Sequence, residues 1–384
     1  MKILVVSNKN SKRVSLIPND INRLITNGIE VYVTNNTTNL CGFSKNDYIT
    51  AGAKIIEKLT AKFIKTIDII SFIDFPKDKI ILNSLSCNQI LWGFMYLVNN
   101  PKHLFLAIKN NLTTIAIETI NSGNVYEYFL PMEQIKGEYV LTLSKKAIKK
   151  YDNTKKYKNK NINQTALVKN NILILNYSYS GYYATKTALS NGYNILYLEN
   201  DKTLSNELKV DKELKSLANL HNCHFDVIEA SYDNLCDKIK DTNILICTNQ
   251  LPTIKTQLRI TKNMINSMVK GSVYINFATE TGFASATEIK PTTIYNPCVI
   301  HNGICHISIE NINDIFPKKS SEIISNLNTK NFLILKKNQL YCNLLTTENK
   351  FKNAIMTYNH CLTNKEIASS LHLKYTNIET IKKI

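Results

Sequence analysis

Short runs of β-branched and aliphatic residues alternate along this chain with stretches of helical periodicity, and the alternation runs twice. Lys2–Ser7 reads as a strand. Pro18-Asn19-Asp20 then opens a helix with Ile21, Leu24 and Ile25 at helical spacing, and Asn27-Gly28 ends it before a strand at Glu30–Thr34. The rhythm continues through predicted strands at Ile67–Phe72, Asn88–Tyr96 and Thr114–Glu118. A second series begins at Asn171–Leu175, a continuous apolar run as expected of a strand covered on both faces. It passes through a tight turn at Tyr177–Gly181, a helix at Tyr182–Ser190 and a strand at Asn194–Leu198. Further strands are predicted at Asp226–Glu229, Asn243–Thr248, Ser272–Phe277 and Ile304–Ile309, and the tail from Ser320 reads as helix with polar loops. Such alternation demands parallel sheets with helices on both faces. The predicted class is α/β, with two Rossmann-like, doubly wound parallel-sheet domains.

Composition narrows the function. At 384 residues the chain exceeds one ordinary core, and an apolar fraction of 44% suits a folded globular protein. Its longest apolar stretches, such as Ile90–Val98, reach about half of the roughly 20 residues a membrane span needs. The apolar run at Ile3–Val6 is too short for a secretory leader, so a cytoplasmic location is expected. Nine scattered cysteines without a Cys-x-x-Cys pair point to reduced thiols. The net charge of +17 is almost all lysine and spread along the chain, whereas a nucleic-acid face concentrates basic residues and favours arginine. The one dense basic stretch, Lys145–Lys160, is expected to be a solvated linker between domains. His221, Cys223 and His224 offer no fourth ligand at tetrahedral spacing, so no metal is expected.

Asn171–Glu199 has the layout of a dinucleotide-binding βαβ unit with an eroded fingerprint. The three glycine positions of Gly-x-Gly-x-x-Gly fall on Asn176, Ser178 and Gly181. Asparagine tolerates left-handed backbone angles, so Asn176 can still make the bend. Ser178 carries a side chain into space that a pyrophosphate would occupy. Glu199 stands at the end of the next strand, where a carboxylate accepts hydrogen bonds from a ribose and repels a 2′-phosphate, which selects NAD over NADP. The plainer alternative is an ordinary strand-turn-helix with Glu199 solvated.

Several segments carry a wider resemblance. They are Lys12-Arg13-Val14-Ser15-Leu16-Ile17-Pro18, Gly42-Phe43-Ser44 with Asp47-Tyr48 and Ala51-Gly52-Ala53, Ala116-Ile117-Glu118-Thr119, Leu130-Pro131-Met132, Ser267–Val273 and Lys290-Pro291-Thr292-Thr293. In this order and spacing the chain resembles the alanine dehydrogenase and transhydrogenase α-subunit family over nearly its whole length. Lys290–Thr293, with Asn311, Pro317-Lys318 and Ser320-Ser321, is more similar to alanine dehydrogenase. The resemblance implies a discontinuous substrate domain, residues 1–135 with 310–384, and an inserted NAD domain, residues 136–309. It also implies a homo-oligomer, hexamer or dimer, acting on a small amino acid or 2-oxo acid.

Site roles follow from the same resemblance. Arg13 matches the arginine that binds substrate carboxylate, a task suited to a planar guanidinium fork; the plainer alternative is a surface ion pair. Asp74, in Phe72-Ile73-Asp74-Phe75-Pro76, stands where the family has a lysine and would repel pyruvate. Tyr96 stands in the place of the family's acid/base histidine, and tyrosine, with an ordinary pKa near ~10, is a poor base at neutral pH. Glu280 takes the place of the family's aspartate. Asn249 and Asn311 fall at cofactor positions, and Glu133, replacing a serine, would oppose a pyrophosphate. Two readings stay open: an NAD-dependent amino-acid or opine-type dehydrogenase with altered substrate choice, or a catalytically silent relative that binds nucleotide or serves in assembly.

Overall fold

The computed structural model describes residues 1–8, 12–87, 89–98, 100–123, 125–154, 171–175, 178–199, 210–248, 260–277, 292–293, 295–309, 312–337 and 349–381. Of the sequence-derived site residues, Asn176, Asn249, Glu280 and Asn311 lie outside them. The strands in chain order are β1 (Lys2–Val5), β2 (Glu30–Thr34), β3 (Lys54–Ile56), β4 (Ile69–Ser71), β5 (Ile90–Gly93), β6 (Thr113–Ala116), β7 (Asn121–Ser122) and β8 (Val125–Tyr126). They continue with β9 (Asn171–Leu175), β10 (Asn194–Glu199), β11 (Phe225–Glu229), β12 (Ile244–Cys247), β13 (Val273–Asn276), β14 (Val299–His301), β15 (Ile304–Ile307), β16 (Ile355–Tyr358) and β17 (Cys361–Leu362). The chain divides into two compact units, Met1–Pro131 with Asn313–Ile384, and Met132–Ile312.

The first unit holds a sheet ordered β17-β16-β6-β5-β4-β1-β2-β3, parallel from β3 to β6 and closed by the antiparallel pair β16 and β17. The expectation of helix and polar loops from Ser320 is corrected here. The helix Pro317–Lys337 forms, but the tail then returns as two short strands. Ile355, Met356 and Thr357 are buried, and Thr357 bonds Thr114 across the ladder, so the segment completes the sheet edge. The helix Pro18–Thr26 opens on proline at its first turn and ends before Gly28, whose φ of 71° suits the residue without a Cβ.

The second unit holds a sheet ordered β11-β10-β9-β12-β13-β15-β14, parallel except for the last strand. Every residue of Ile172–Leu175 is buried, as the unbroken apolar run requires of a central strand. Two sequence expectations change. Of the expected linker Lys145–Lys160, residues 155–160 lie outside the described residues, and Lys145–Asp152 is the end of the helix Phe129–Asp152, whose Val140, Leu141, Leu143, Ala147 and Tyr151 are buried. The helix expected from Tyr182 begins earlier, spanning Tyr179–Leu189 with Ser178 as its N-cap, so most of the predicted turn is its first turn.

In both units the central parallel strands run outward in opposite senses from one point. That point lies between β1 and β4 in the first unit and between β9 and β12 in the second. In doubly wound sheets ligands bind at the carboxyl edge of such a switch point.

Candidate active site

In the first unit the segment Lys12–Ile17, which follows β1, lies over that edge. The Ser71 hydroxyl, at the end of β4, donates to Ser15 Oγ at 2.9 Å. The helix Pro317–Lys337 holds the segment from the other side. Val14 N–H donates to Ser321 Oγ and Ile17 N–H to Ser325 Oγ, both at 2.9 Å, while Asn328 Nδ2 donates to the Ser15 carbonyl at 2.8 Å. Asn328 Oδ1 in turn accepts from Trp92 Nε1 and Tyr128 Oη at 2.7 and 2.8 Å. All three side chains, Ser321, Ser325 and Asn328, are fully buried. Sequence reasoning did not single out this polar stripe. Its signal was there, in small polar residues recurring on the helical period where a core face would be apolar.

Arg13 is held between these anchors. It is no surface pair: Arg13 is 4% and Asp314 7% exposed, and the Arg13 Nε–Asp314 Oδ1 contact is 2.5 Å. Burial pushes the Asp314 carboxyl above its ordinary range, the Arg13 guanidinium opposes that shift, and the negative charge of Asp74 adds to it. Arg13, Asp74 and Asp314 therefore form one electrostatic group. The backbone bearing Asp74 is tied back to β1, since Asn8 Nδ2 donates to the Phe75 carbonyl at 3.0 Å and Lys77 N–H to Asn8 Oδ1 at 3.1 Å.

The neighbouring strand supplies Tyr96. Gly93, the last residue of β5, lies directly beneath Phe72. A Cβ there would meet the ring at 2.3 Å, so only glycine lets the two strand ends pack side by side. Beyond it the chain turns sharply. Tyr96 has φ 42°, is half-buried and stacks on Phe94 with centroids 5.9 Å apart. The buried carboxylate of Glu118 accepts Tyr96 N–H at 2.9 Å and Met95 N–H at 3.2 Å. Burial pushes the Glu118 carboxyl up to about 7, against the downward pull of those amides.

In the second unit Ser178 is fully buried, and its Oγ accepts Gly181 N–H at 2.9 Å. The helix thus caps itself with the residue at the second fingerprint position. Gly181 is needed for packing: a Cβ would meet Tyr197 Oη at 2.8 Å, and that hydroxyl already accepts from Thr185 Oγ1 at 3.0 Å. Glu199 is not solvated at its strand end. It is 5% exposed. Glu133, expected to oppose a pyrophosphate, has its charge partnered. Glu133 pairs with Lys136 at 2.7 Å, one helical turn on, and both side chains are buried. The next residue, Gly137, lets this helix approach the Tyr179–Leu189 helix so closely that a Cβ would meet the Ser180 carbonyl at 2.5 Å.

Among the described residues no group of three or more His, Cys, Asp and Glu is placed to hold a metal ion, and no helix is long and apolar enough to cross a membrane.

Strand order and switch points define an α/β protein of two doubly wound units of Rossmann type. Residues 6–136 match the family model described as Alanine dehydrogenase/PNT, N-terminal domain, and residues 146–365 match its C-terminal domain. The chain belongs to the alanine dehydrogenase/PNT family. It is 24% identical over 375 residues to the alanine dehydrogenase of Staphylococcus epidermidis, covering 96% of each chain. It is 26% identical over 367 residues to alanine dehydrogenase 1 of Staphylococcus aureus, covering 95% of each. Among solved structures it is similar to an L-alanine dehydrogenase, with TM-score 0.78, 17% identity and 97% and 99% of the two chains covered. It is also similar to a transhydrogenase from Sinorhizobium meliloti, with TM-score 0.67, 16% identity and 95% and 99% covered.

Proposed function

We propose that this protein is an NAD-dependent oxidoreductase that interconverts a small L-amino acid and its 2-oxo acid. The observation that carries the reading is the match of both family models, in chain order, to a chain with a buried carboxylate, Glu199, ending the second strand of a Rossmann-ordered sheet. A carboxylate there suits the diol of an adenine ribose. Gly181 preserves the close helix–strand packing of such sites, and Ser178 is the departure. These residues fit NAD, with Glu199 holding the ribose and the Ser178–Gly181 turn facing the pyrophosphate. Bound there, the nicotinamide would accept or deliver a hydride.

In this reading Arg13 orients the substrate carboxylate, with Asp314 fixing the guanidinium through Nε. Asp74 favours a substrate carrying an additional ammonium over plain pyruvate, because reversal of charge at that position reverses which ligand is attracted. Tyr96, in the place of the family's acid/base residue, follows the neighbouring strand β5. Domain roles follow: 1–135 with 310–384 for substrate and 136–309 for cofactor, with Asn176, Asn249 and Asn311 assigned to the cofactor and Glu280 to catalysis. A homo-oligomer, dimer or hexamer, in the cytoplasm belongs to the same reading.

The test is NADH consumption with pyruvate and other 2-oxo acids, each with ammonia or with diamino acids, beside calorimetric titration of NAD and NADH. Consumption with a diamino acid supports the reading. A second reading, a catalytically silent nucleotide-binding or assembly protein, is favoured by the self-capped turn at Ser178 together with Asp74 and Tyr96. Cofactor binding without consumption of NADH by any pair would select a nucleotide-binding protein, and no binding at all an assembly role.

A further inference from the structure

We propose that Glu118 is a positioning residue, its buried carboxylate holding the chain turn that carries Tyr96 past the carboxyl end of β5. β5 and β6 pair in parallel, with Gly93 opposite Ala116. Continued by two residues, that register would bring Met95 opposite Glu118. The ladder instead stops at Gly93, because β6 passes into the 3-10 turn Ile117–Thr119. Past that point the amides of Met95 and Tyr96 lose the carbonyl partners a parallel strand would have offered.

Glu118 replaces those partners with a side chain. Oε1 accepts Tyr96 N–H at 2.9 Å and Met95 N–H at 3.2 Å, and Oε2 lies 3.3 Å from Met95 N. Glu118 is 3% exposed, so little solvent is at hand to take over either amide. The arrangement has a specific effect on Tyr96, whose φ of 42° lies in the left-handed region that a residue with a Cβ rarely occupies. A carboxylate accepting two successive amides fixes the direction of both, and therefore the turn that follows. Asn100 N–H and Nδ2 close the same turn on the Tyr96 carbonyl, at 3.2 and 3.3 Å. A carboxylate at this point is thus explained by the backbone it holds.

That turn serves a substrate site only if the oxidoreductase reading holds, so the experiment separates the two. Hydrogen exchange is followed by mass spectrometry in peptides spanning residues 93–98, in the full-length wild type and in Glu118→Ala, Glu118→Gln and Glu118→Asp, with urea denaturation of each to correct for global stability. The expected result is exchange at least about tenfold faster across 94–97 in Glu118→Ala, a smaller effect in Glu118→Gln, which keeps one acceptor oxygen, and no change in β1 or β4 peptides. In NADH-consumption assays kcat falls by about tenfold in Glu118→Ala while KM for NADH stays within twofold, and Glu118→Gln recovers part of the loss. Unchanged exchange across 94–97, equal acceleration in every peptide of the unit, or wild-type kcat in Glu118→Ala would overturn the proposal. Should Glu118→Ala not fold, the Gln and Asp variants carry the same comparison. Faster exchange across 94–97 in a protein whose wild type consumes no NADH would remove the oxidoreductase reading and leave Glu118 holding the turn.

Discussion

Ser178 Oγ accepts the backbone N–H of Gly181 at 2.9 Å, so the helix that would receive a pyrophosphate closes its first turn on its own side chain. An amide spent on a cap is one an anion must win back. Ser178→Gly is therefore expected to tighten NADH binding by roughly tenfold, the worth of about one charge-assisted hydrogen bond. It should lower stability by only a few tenths of a kcal/mol, as glycine replaces serine at an N-cap. Calorimetry on both proteins decides it, and equal affinities would mean that the pyrophosphate does not use this turn.

The charge at residue 74 should decide substrate preference. Because its field already reaches Asp314, it belongs to the Arg13 group. Opposite charges a few ångströms apart near a protein surface interact by roughly 4 kcal/mol. Asp74→Lys is expected to raise kcat/KM for pyruvate with ammonia by on the order of ten- to a hundredfold, and to lower it for diamino acids. Initial rates with the two substrate classes supply the comparison.

Anchoring of the Arg13 segment by the C-terminal helix can be measured as stability. Ser321→Ala leaves the buried Val14 amide without its partner, which costs about 1–3 kcal/mol. Ser321→Thr keeps the hydroxyl and should recover part of the loss. Urea midpoints at constant slope report the difference, and a loss below about 0.3 kcal/mol in the alanine variant would show that the amide finds another partner.

Glu118 should make the protein less stable as pH rises through neutrality. Its folded carboxyl is pushed up to about 7, above the ordinary value near 4.5, so the folded state binds the extra proton between those limits. The contribution is fully present below pH 4.5 and is lost as pH climbs through 7, by an amount on the order of 3 kcal/mol. Glu118→Gln removes the titration. Denaturation midpoints between pH 4.5 and 8 should fall less steeply in that variant than in the wild type.

His306 works in the opposite sense. It is 2% exposed, neither ring nitrogen has a hydrogen-bond partner among the described residues, and Tyr274 packs edge-on at 5.6 Å. Burial lowers its pKa from 6.5 to about 4, so the unfolded chain binds the proton first. Stability is full above pH 6.5 and is lost as pH falls toward 4. His306→Phe should flatten that acid limb, and an unchanged limb would assign the loss to other groups. Comparing it with Glu118→Gln separates two slopes of opposite sign in an overlapping window.

Much of the fold was legible because periodicity reports burial directly. The unbroken run Ile172–Leu175 can only be a strand covered on both faces, and Pro18 with Gly28 brackets a helix by backbone chemistry alone. The misread elements are those whose identity depends on what they touch. Lys145–Asp152 looks like a basic linker until Ala147 and Tyr151 are seen to be buried, and Ile355–Tyr358 becomes a strand only because β6 offers it an edge.

Family and the parallel α/β class were written in the order of residue types along the chain. Composition and spacing are local and survive translation into pattern. Asp314 beside Arg13, Glu118 beneath Tyr96, Ser321 on the Val14 amide and Lys136 on Glu133 were not written there. Three of these pairings join residues far apart in sequence, and the fourth is set by which face of a helix is buried. Such partners are chosen by the requirement that buried charges and amides be satisfied, and that requirement acts only once the chain has closed around them.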